Sequence, residues 1–345
     1  KIDLGKGSVE AYATEIGILL KSIKTARKEL KNWAKTKQVD TPLFMFPSKS
    51  YIKPEPYGTI LIIGPFNYPV QLLFEPLIGA IAAGNNAIIK PSELTPHVAQ
   101  VVRKVIEDVF TSDFVAVVEG GVEETQTLIN LPFDYIFFTG SENVGRIVYE
   151  AASKNLVPVT LELGGKSPVI VDETANIKVA SDRISFGKFT NAGQTCVAPD
   201  YILVNRKVKN ELIQAFKQSI EEFYGKNIQN SPDFGRIVNT KHFNRLSELL
   251  AIHRNEVIFG GHTDENEQYI EPTILDGITP QSKIMEEEIF GPLLPIIVYD
   301  DFNEAIDIIQ SKSKPLSLYL FSEDENTTNC VLEELSFGGG AINDT

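Results

Sequence analysis

A chain of 345 residues is long for one hydrophobic core, so two domains are expected. With 43% hydrophobic and 23% charged residues, the composition is that of an ordinary globular enzyme and excludes a disordered chain. The formal net charge of −14 argues against a general nucleic-acid binder, whose phosphate contacts need a basic face, and says nothing of the fold.

From Ser8 to about Lys37 the chain reads as a helix, with Ile16, Leu19, Leu20, Ile23 and Leu30 on one apolar stripe. The stretch from Thr41 to Pro56 carries prolines, which lack the N–H a helix needs, and reads as an extended arm. Between Gly58 and Glu162 short apolar runs alternate with helical patterns. The runs are Thr59–Ile63, Ala87–Ile89, Phe114–Val118, Tyr135–Thr139 and Val159–Leu161. The helical patterns are Val70–Ala83, Pro96–Phe110, Glu124–Asn130 and Val144–Lys154. Strands separated by crossover helices predict a mostly parallel sheet covered on both faces, which binds ligands beyond the carboxyl ends of its strands. After Gly165 the alternation restarts, with runs at Pro168–Val171, Tyr201–Val204, Pro295–Tyr299 and Leu316–Phe321 and a helical pattern at Asn326–Leu335. His262–Gln268 is polar and reads as a surface loop. The fold class is α/β, with two doubly wound parallel-sheet domains.

Two cysteines, Cys196 and Cys330, give no disulfide framework, and a reducing cytoplasm is the natural compartment. No apolar run approaches the roughly 18–20 residues of a membrane helix, and the basic, polar beginning is no signal peptide. His97, His242, His253 and His262 fall in no metal-binding motif, so no metal is expected.

Chemistry concentrates in a few segments. Cys196 follows Gly193-Gln194-Thr195 and precedes a strand, so it lies at a loop-to-strand edge. A thiol there can act as a nucleophilic thiolate, although an isolated cysteine is more often a small inert hydrophobe. Cys330, in a helical pattern, reads as structural. Glu162 ends an apolar strand and is followed by Gly164-Gly165, suiting a general base whose pKa is raised by partial burial, or else a salt-bridged strand end. Asn67, in the loop Gly64-Pro65-Phe66-Asn67-Tyr68-Pro69, can aim an amide N–H at an oxyanion or serve a local turn. Lys90-Pro91-Ser92-Glu93 reads equally as a helix start. Gly140-Ser141-Glu142-Asn143-Val144-Gly145 closes a strand and opens a helix whose backbone N–H groups can hold a pyrophosphate, but it is not the G-x-G-x-x-G fingerprint. Glu288 and Phe290, after Glu286-Glu287, also fit a solvated acidic surface.

These segments, with Phe138-Thr139-Gly140-Ser141, Leu161-Glu162-Leu163-Gly164-Gly165-Lys166 and Glu287-Glu288-Ile289-Phe290-Gly291-Pro292, stand in one order from about Glu55 to Asn343. In that order the chain resembles the NAD(P)-dependent aldehyde dehydrogenases, and within them the short, dimeric, class-three-like branch that oxidises fatty and aromatic aldehydes. The resemblance implies a Rossmann-like cofactor domain over 1–37 and 57–163 and a bridging arm over 38–56 that joins an oligomerisation sheet. It further implies a catalytic domain over 164–340, with 341–345 opening a C-terminal oligomerisation segment. It gives Cys196 the role of nucleophile, Glu162 that of base for deacylation, and Asn67 that of oxyanion donor. Lys90 and Glu93 would meet the adenine ribose, Gly140, Ser141 and Gly145 the pyrophosphate, and Glu288 and Phe290 the nicotinamide ribose. Tyr68, Phe189 and Thr190 would line an aldehyde tunnel suited to a medium or long apolar substrate. NAD is favoured because a carboxylate at the ribose 2′-OH repels a 2′-phosphate, although this branch tolerates NADP. Phe66 stands where the family often has Trp, a change of packing that leaves Asn67 in place.

The missing initiator Met and the family's extension past Thr345 imply truncation at both ends, which would place any C-terminal membrane tail out of view. Three rivals remain. A thiol hydrolase needs a paired base, and no His lies in a partner motif. A silent binding homologue would be expected to lose Cys196 or Glu162. A coenzyme-A-acylating relative has no need of a base for hydrolysis, so Glu162 argues against it. The expected enzyme is a cytoplasmic homodimer taking a small-molecule aldehyde.

Overall fold

The computed structural model describes every residue from Lys1 to Thr345. Its contacts divide the chain into a first unit, Ala11–Glu162, and a second, Lys1–Glu10 with Leu163–Thr345. The first ten residues go with the second unit because Leu4 is buried and its carbonyl accepts from the Arg236 N–H at 2.9 Å.

The N-terminal helical run is α1 (Ser8–Ala11), a wide π turn (Tyr12–Ile16) and α2 (Gly17–Trp33). It stops short of Lys37 because β1 (Lys37–Val39) pairs antiparallel with β2 (Ser50–Ile52), turning the expected arm into a small hairpin. Thereafter strand and helix alternate: β3 (Thr59–Ile63), α3 (Gln71–Ala82), β4 (Asn86–Lys90), α4 (Pro96–Val109), β5 (Val115–Val117), α5 (Val122–Ile129), β6 (Tyr135–Thr139), α6 (Glu142–Ser153) and β7 (Val159–Glu162). All pairings in this sheet are parallel and the order is β5-β4-β3-β6-β7. The central strand β3 buries Leu61 and Ile62 completely, as a strand covered on both faces must. Its crossover to α3 is fixed by Glu15 of the π turn, whose carboxylate accepts from Val70 N at 2.8 Å and Gln71 N at 3.3 Å. That carboxylate caps the positive end of α3 and fastens the loop carrying Asn67.

The second unit runs β8 (Pro168–Val171), α7 (Ile177–Phe189), β9 (Tyr201–Asn205), α8 (Lys209–Tyr224), α9 (Thr240–Ile252) and β10 (Val257–Phe259). It continues through β11 (Thr263–Asp264), β12 (Tyr269–Ile270), β13 (Thr273–Leu275), β14 (Leu293–Tyr299), α10 (Phe302–Gln310), β15 (Ser317–Phe321), α11 (Glu325–Glu334) and β16 (Gly339–Ile342). Seven strands form its sheet in the order β10-β13-β14-β9-β8-β15-β16. All pairs are parallel except β10 with β13, which adds an antiparallel edge. The polar stretch around His262–Gln268 is the tip of a two-residue ladder, β11 with β12. Residues 341–345 include the end of β16, which belongs to this sheet.

Candidate active site

Because the first sheet is wholly parallel, its strands end at one edge, and four expected site segments lie there. Ile63 pairs with Lys90 on one side and Phe138 on the other, while Thr139 pairs with Glu162. The backbone continues the ladder past the strands, with Gly64 N donating to Lys90 O and Gly140 N to Glu162 O, each at 3.0 Å. Asn67 and Tyr68 are buried in the loop between β3 and α3. Lys90 is buried, and its ammonium pairs with Glu93 at 2.7 Å, so the two residues meet each other across the turn. Ser141 caps α6 through a long contact, Val144 N to Oγ at 3.5 Å, and Gly145 lies buried in the first turn of that helix. Glu162 ends β7 exposed rather than partly buried.

The donor set at this edge fits a dinucleotide. It includes a helix N-terminus of the kind that can hold a pyrophosphate, and a lysine–glutamate pair that could hold ribose hydroxyls.

In the second unit the relevant segments lie at the amino ends of adjacent strands. Gly164-Gly165-Lys166 precedes β8, the Cys196 loop precedes β9, and the Glu288 turn precedes β14. Helix α7 ends where Asn191, Ala192 and Gly193 adopt φ of 54°, 53° and 75°. Two non-glycine residues in the left-handed region mark stored strain, which persists only where the surroundings over-determine it. Gln194 supplies that constraint: its Nε2 donates to Asn191 O at 3.0 Å and Arg236 O at 2.9 Å, and its Oε1 accepts from Val238 N at 3.0 Å. Cys196 follows in a turn closed by Ala198 N to Thr195 O at 3.0 Å, and is half-buried.

The Glu288 turn packs directly on this loop. A Cβ on Gly193, at φ 75°, would meet the backbone Gly291 O at 2.4 Å, so that approach requires glycine, and the Glu288 carboxylate lies over Gly164, 2.3 Å from where a Cβ would stand. Lys166 donates to Ile284 O at 3.0 Å and Glu287 O at 2.8 Å and pairs with Asp200, whose other oxygen accepts from Ile289 N at 2.9 Å. Arg245 donates to Ile289 O, and Phe290 has φ 48°. Burial, reinforced by the Asp200 charge, pushes Glu288 up to about 8, against the opposing Gly165 N–H and the Lys166 and Lys188 charges. Lys188, one turn before the loop, is wholly buried without a hydrogen-bond partner, and burial pulls it down to about 8.

Phe189 has no exposed surface and belongs to the apolar core of its unit. Its neighbour Thr190 is half-buried and bonds back to Phe186 O at 2.7 Å. Lys166, Asp200, Arg245 and Gln194 went without a role in the sequence reading. Gln194 and Lys166 lie within the motifs, whereas the partners of Asp200 and Arg245 are distant in sequence and carry no local signal.

This is the architecture of a two-unit α/β enzyme with a dinucleotide-type sheet. The aldehyde dehydrogenase family model matches residues 1–345. The chain is 72% identical to 4,4'-diaponeurosporen-aldehyde dehydrogenase of Staphylococcus aureus (strain NCTC 8325 / PS 47), over 99% of this chain and 75% of that protein. It is 44% identical to the dimeric NADP-preferring aldehyde dehydrogenase of Rattus norvegicus, over 99% of this chain and 75% of that one. The solved structure described as the substrate-bound state of Staphylococcus aureus AldH superposes with a TM-score of 0.98 at 72% identity, covering 100% of this chain and 75% of that one. The chain belongs to the aldehyde dehydrogenase family. It is an NAD(P)-dependent oxidoreductase that converts aldehydes to acids.

Proposed function

We propose that the oxidation is covalent and runs through Cys196. The Cys196 thiolate attacks the aldehyde carbonyl to give a thiohemiacetal, and the Asn67 amide with the Cys196 backbone N–H steadies its oxyanion. The bound nicotinamide supplies the hydride acceptor. Collapse of the thiohemiacetal leaves an acyl-thioester on Cys196, and Glu162 deprotonates the water that releases the acid. Lys90 and Glu93 take the adenine ribose, the α6 N-terminus around Gly140, Ser141 and Gly145 the pyrophosphate, and Glu288 and Phe290 the nicotinamide ribose. The carrying observation is the Cys196 loop: a half-buried thiol in a turn locked by Gln194 next to strained backbone. An inert core cysteine needs none of this.

The substrate class follows from the relative named for 4,4'-diaponeurosporenal, together with the partly apolar Tyr68. We take it to be a long apolar aldehyde. The rat relative's name supports a homodimer, and two free cysteines support a reducing compartment.

Replacing Cys196 by Ala should abolish NADH formation, whereas undiminished turnover would remove Cys196 from the mechanism. Glu162→Gln should keep the first burst of NADH but lose steady turnover; loss of the burst as well would assign Glu162 another role. Asn67→Ala should slow the reaction by about 10²-fold if its amide donates to the oxyanion.

A further inference from the structure

We infer that Tyr319 is a positioning residue for the nucleophile, holding the peptide that follows Cys196 in one orientation. The inference rests on Cys196 being the nucleophile. Tyr319 lies on β15, paired with Val169 of β8 and Ala341 of β16. Strand β8 separates it from β9, the strand the Cys196 loop enters. Reaching that loop means spanning two strand spacings, about 10 Å, which only a long side chain can approach. The Tyr319 hydroxyl makes the connection, donating to Val197 O at 2.6 Å.

The bond matters because of the peptide it holds. The carbonyl of Val197 and the N–H of Ala198 belong to one planar unit. Its N–H end is tied to Thr195 O at 3.0 Å and its C=O end to Tyr319. The peptide is thereby pinned at both ends, one residue beyond the thiol, as Gln194 pins the chain two residues before it. Without the phenol, the carbonyl loses its partner and the turn is held at one end only.

Packing alone does not account for the hydroxyl. Tyr319 is 5% exposed on a strand buried throughout, and a phenylalanine ring would fill the same space. Burial pushes the phenol up, the Ser317 hydroxyl opposes this, and the Cys196 charge adds to the rise. The phenol therefore stays a donor through the range in which the thiol ionises, and lies within electrostatic reach of that thiol.

The test is Tyr319→Phe, which keeps the ring and deletes only the donor, made in a Cys330→Ala background so that alkylation reports Cys196 alone. The expected result is a pre-steady-state NADH burst slowed about tenfold, matching slower alkylation of Cys196 by iodoacetamide from neutral to alkaline pH, and an unchanged KM for NAD. Burst and alkylation rates equal to those of the parent would overturn the role. So would a rise in KM for NAD in proportion to the lost rate, which is the mark of general loosening. Cys196→Ala is run alongside: if it turns over, the nucleophile assignment itself fails, whereas an inactive Cys196→Ala with an unaffected Tyr319→Phe rejects Tyr319 alone.

Discussion

Glu288 is the residue whose chemistry depends most on its surroundings. Burial and Asp200 hold its carboxyl protonated up to about 8, while the unfolded chain would release the proton near 4.5. The stability this group contributes is therefore full below 4.5 and lost as pH climbs through about 8. For the proposed ribose contact the sign is opposite, since an ionised carboxylate accepts from a ribose hydroxyl more strongly than a neutral carboxyl does. KM for NAD should fall as pH is raised through about 8 in the parent enzyme and stay flat in Glu288→Gln, by steady-state assay. A flat parent profile would separate Glu288 from the ribose. Glu93 makes a second residue-level case. With Glu93 at the adenine ribose as proposed, the Lys90 ammonium 2.7 Å away would offset part of the repulsion its carboxylate exerts on a 2′-phosphate. Glu93→Gln should raise kcat/KM for NADP relative to NAD several-fold, by up to about 1 kcal/mol of preference.

At the scale of elements, the turn between α7 and β9 depends on glycine. Gly193→Ala would put a Cβ 2.4 Å from Gly291 O at a φ of 75°. The change should cost about 2 kcal/mol or more of stability and disturb both the thiol loop and the Glu288 turn. A lowered Tm together with lost activity is expected, and an unaltered Tm would show that the two segments do not pack as described. The sequence made much of this legible. Alternating apolar runs located nine strands to within a residue or two, because strands buried on both faces are continuous hydrophobic stretches bounded by turns. It missed β10, β13 and β16, which are only three or four residues long, too short for a strand period to stand out from the sequence around them. It also extended the first helix past Trp33, since Lys37–Val39 pairs with residues whose sequence gives no sign of the partner.

Across the whole molecule, one sheet presents its carboxyl ends and the other its amino ends to the segments that carry chemistry. This contrast could not be read from motifs, because each motif marks a loop without saying which end of a strand it follows. It has a consequence for ligand binding. NAD should raise the Tm in a concentration-dependent way and slow amide exchange at Gly64–Tyr68, Lys90–Glu93 and Gly140–Gly145, leaving β10 and β13 unchanged. Protection confined to the second sheet would assign the cofactor elsewhere. The most direct test of covalent oxidation is intact-mass spectrometry of Glu162→Gln incubated with a long-chain aldehyde and NAD. A stable acyl adduct mapping to Cys196, absent from the Cys196→Ala, Glu162→Gln double variant, is the expected result. Steady NADH production by Cys196→Ala, with no acylated peptide recovered from any variant, would contradict it.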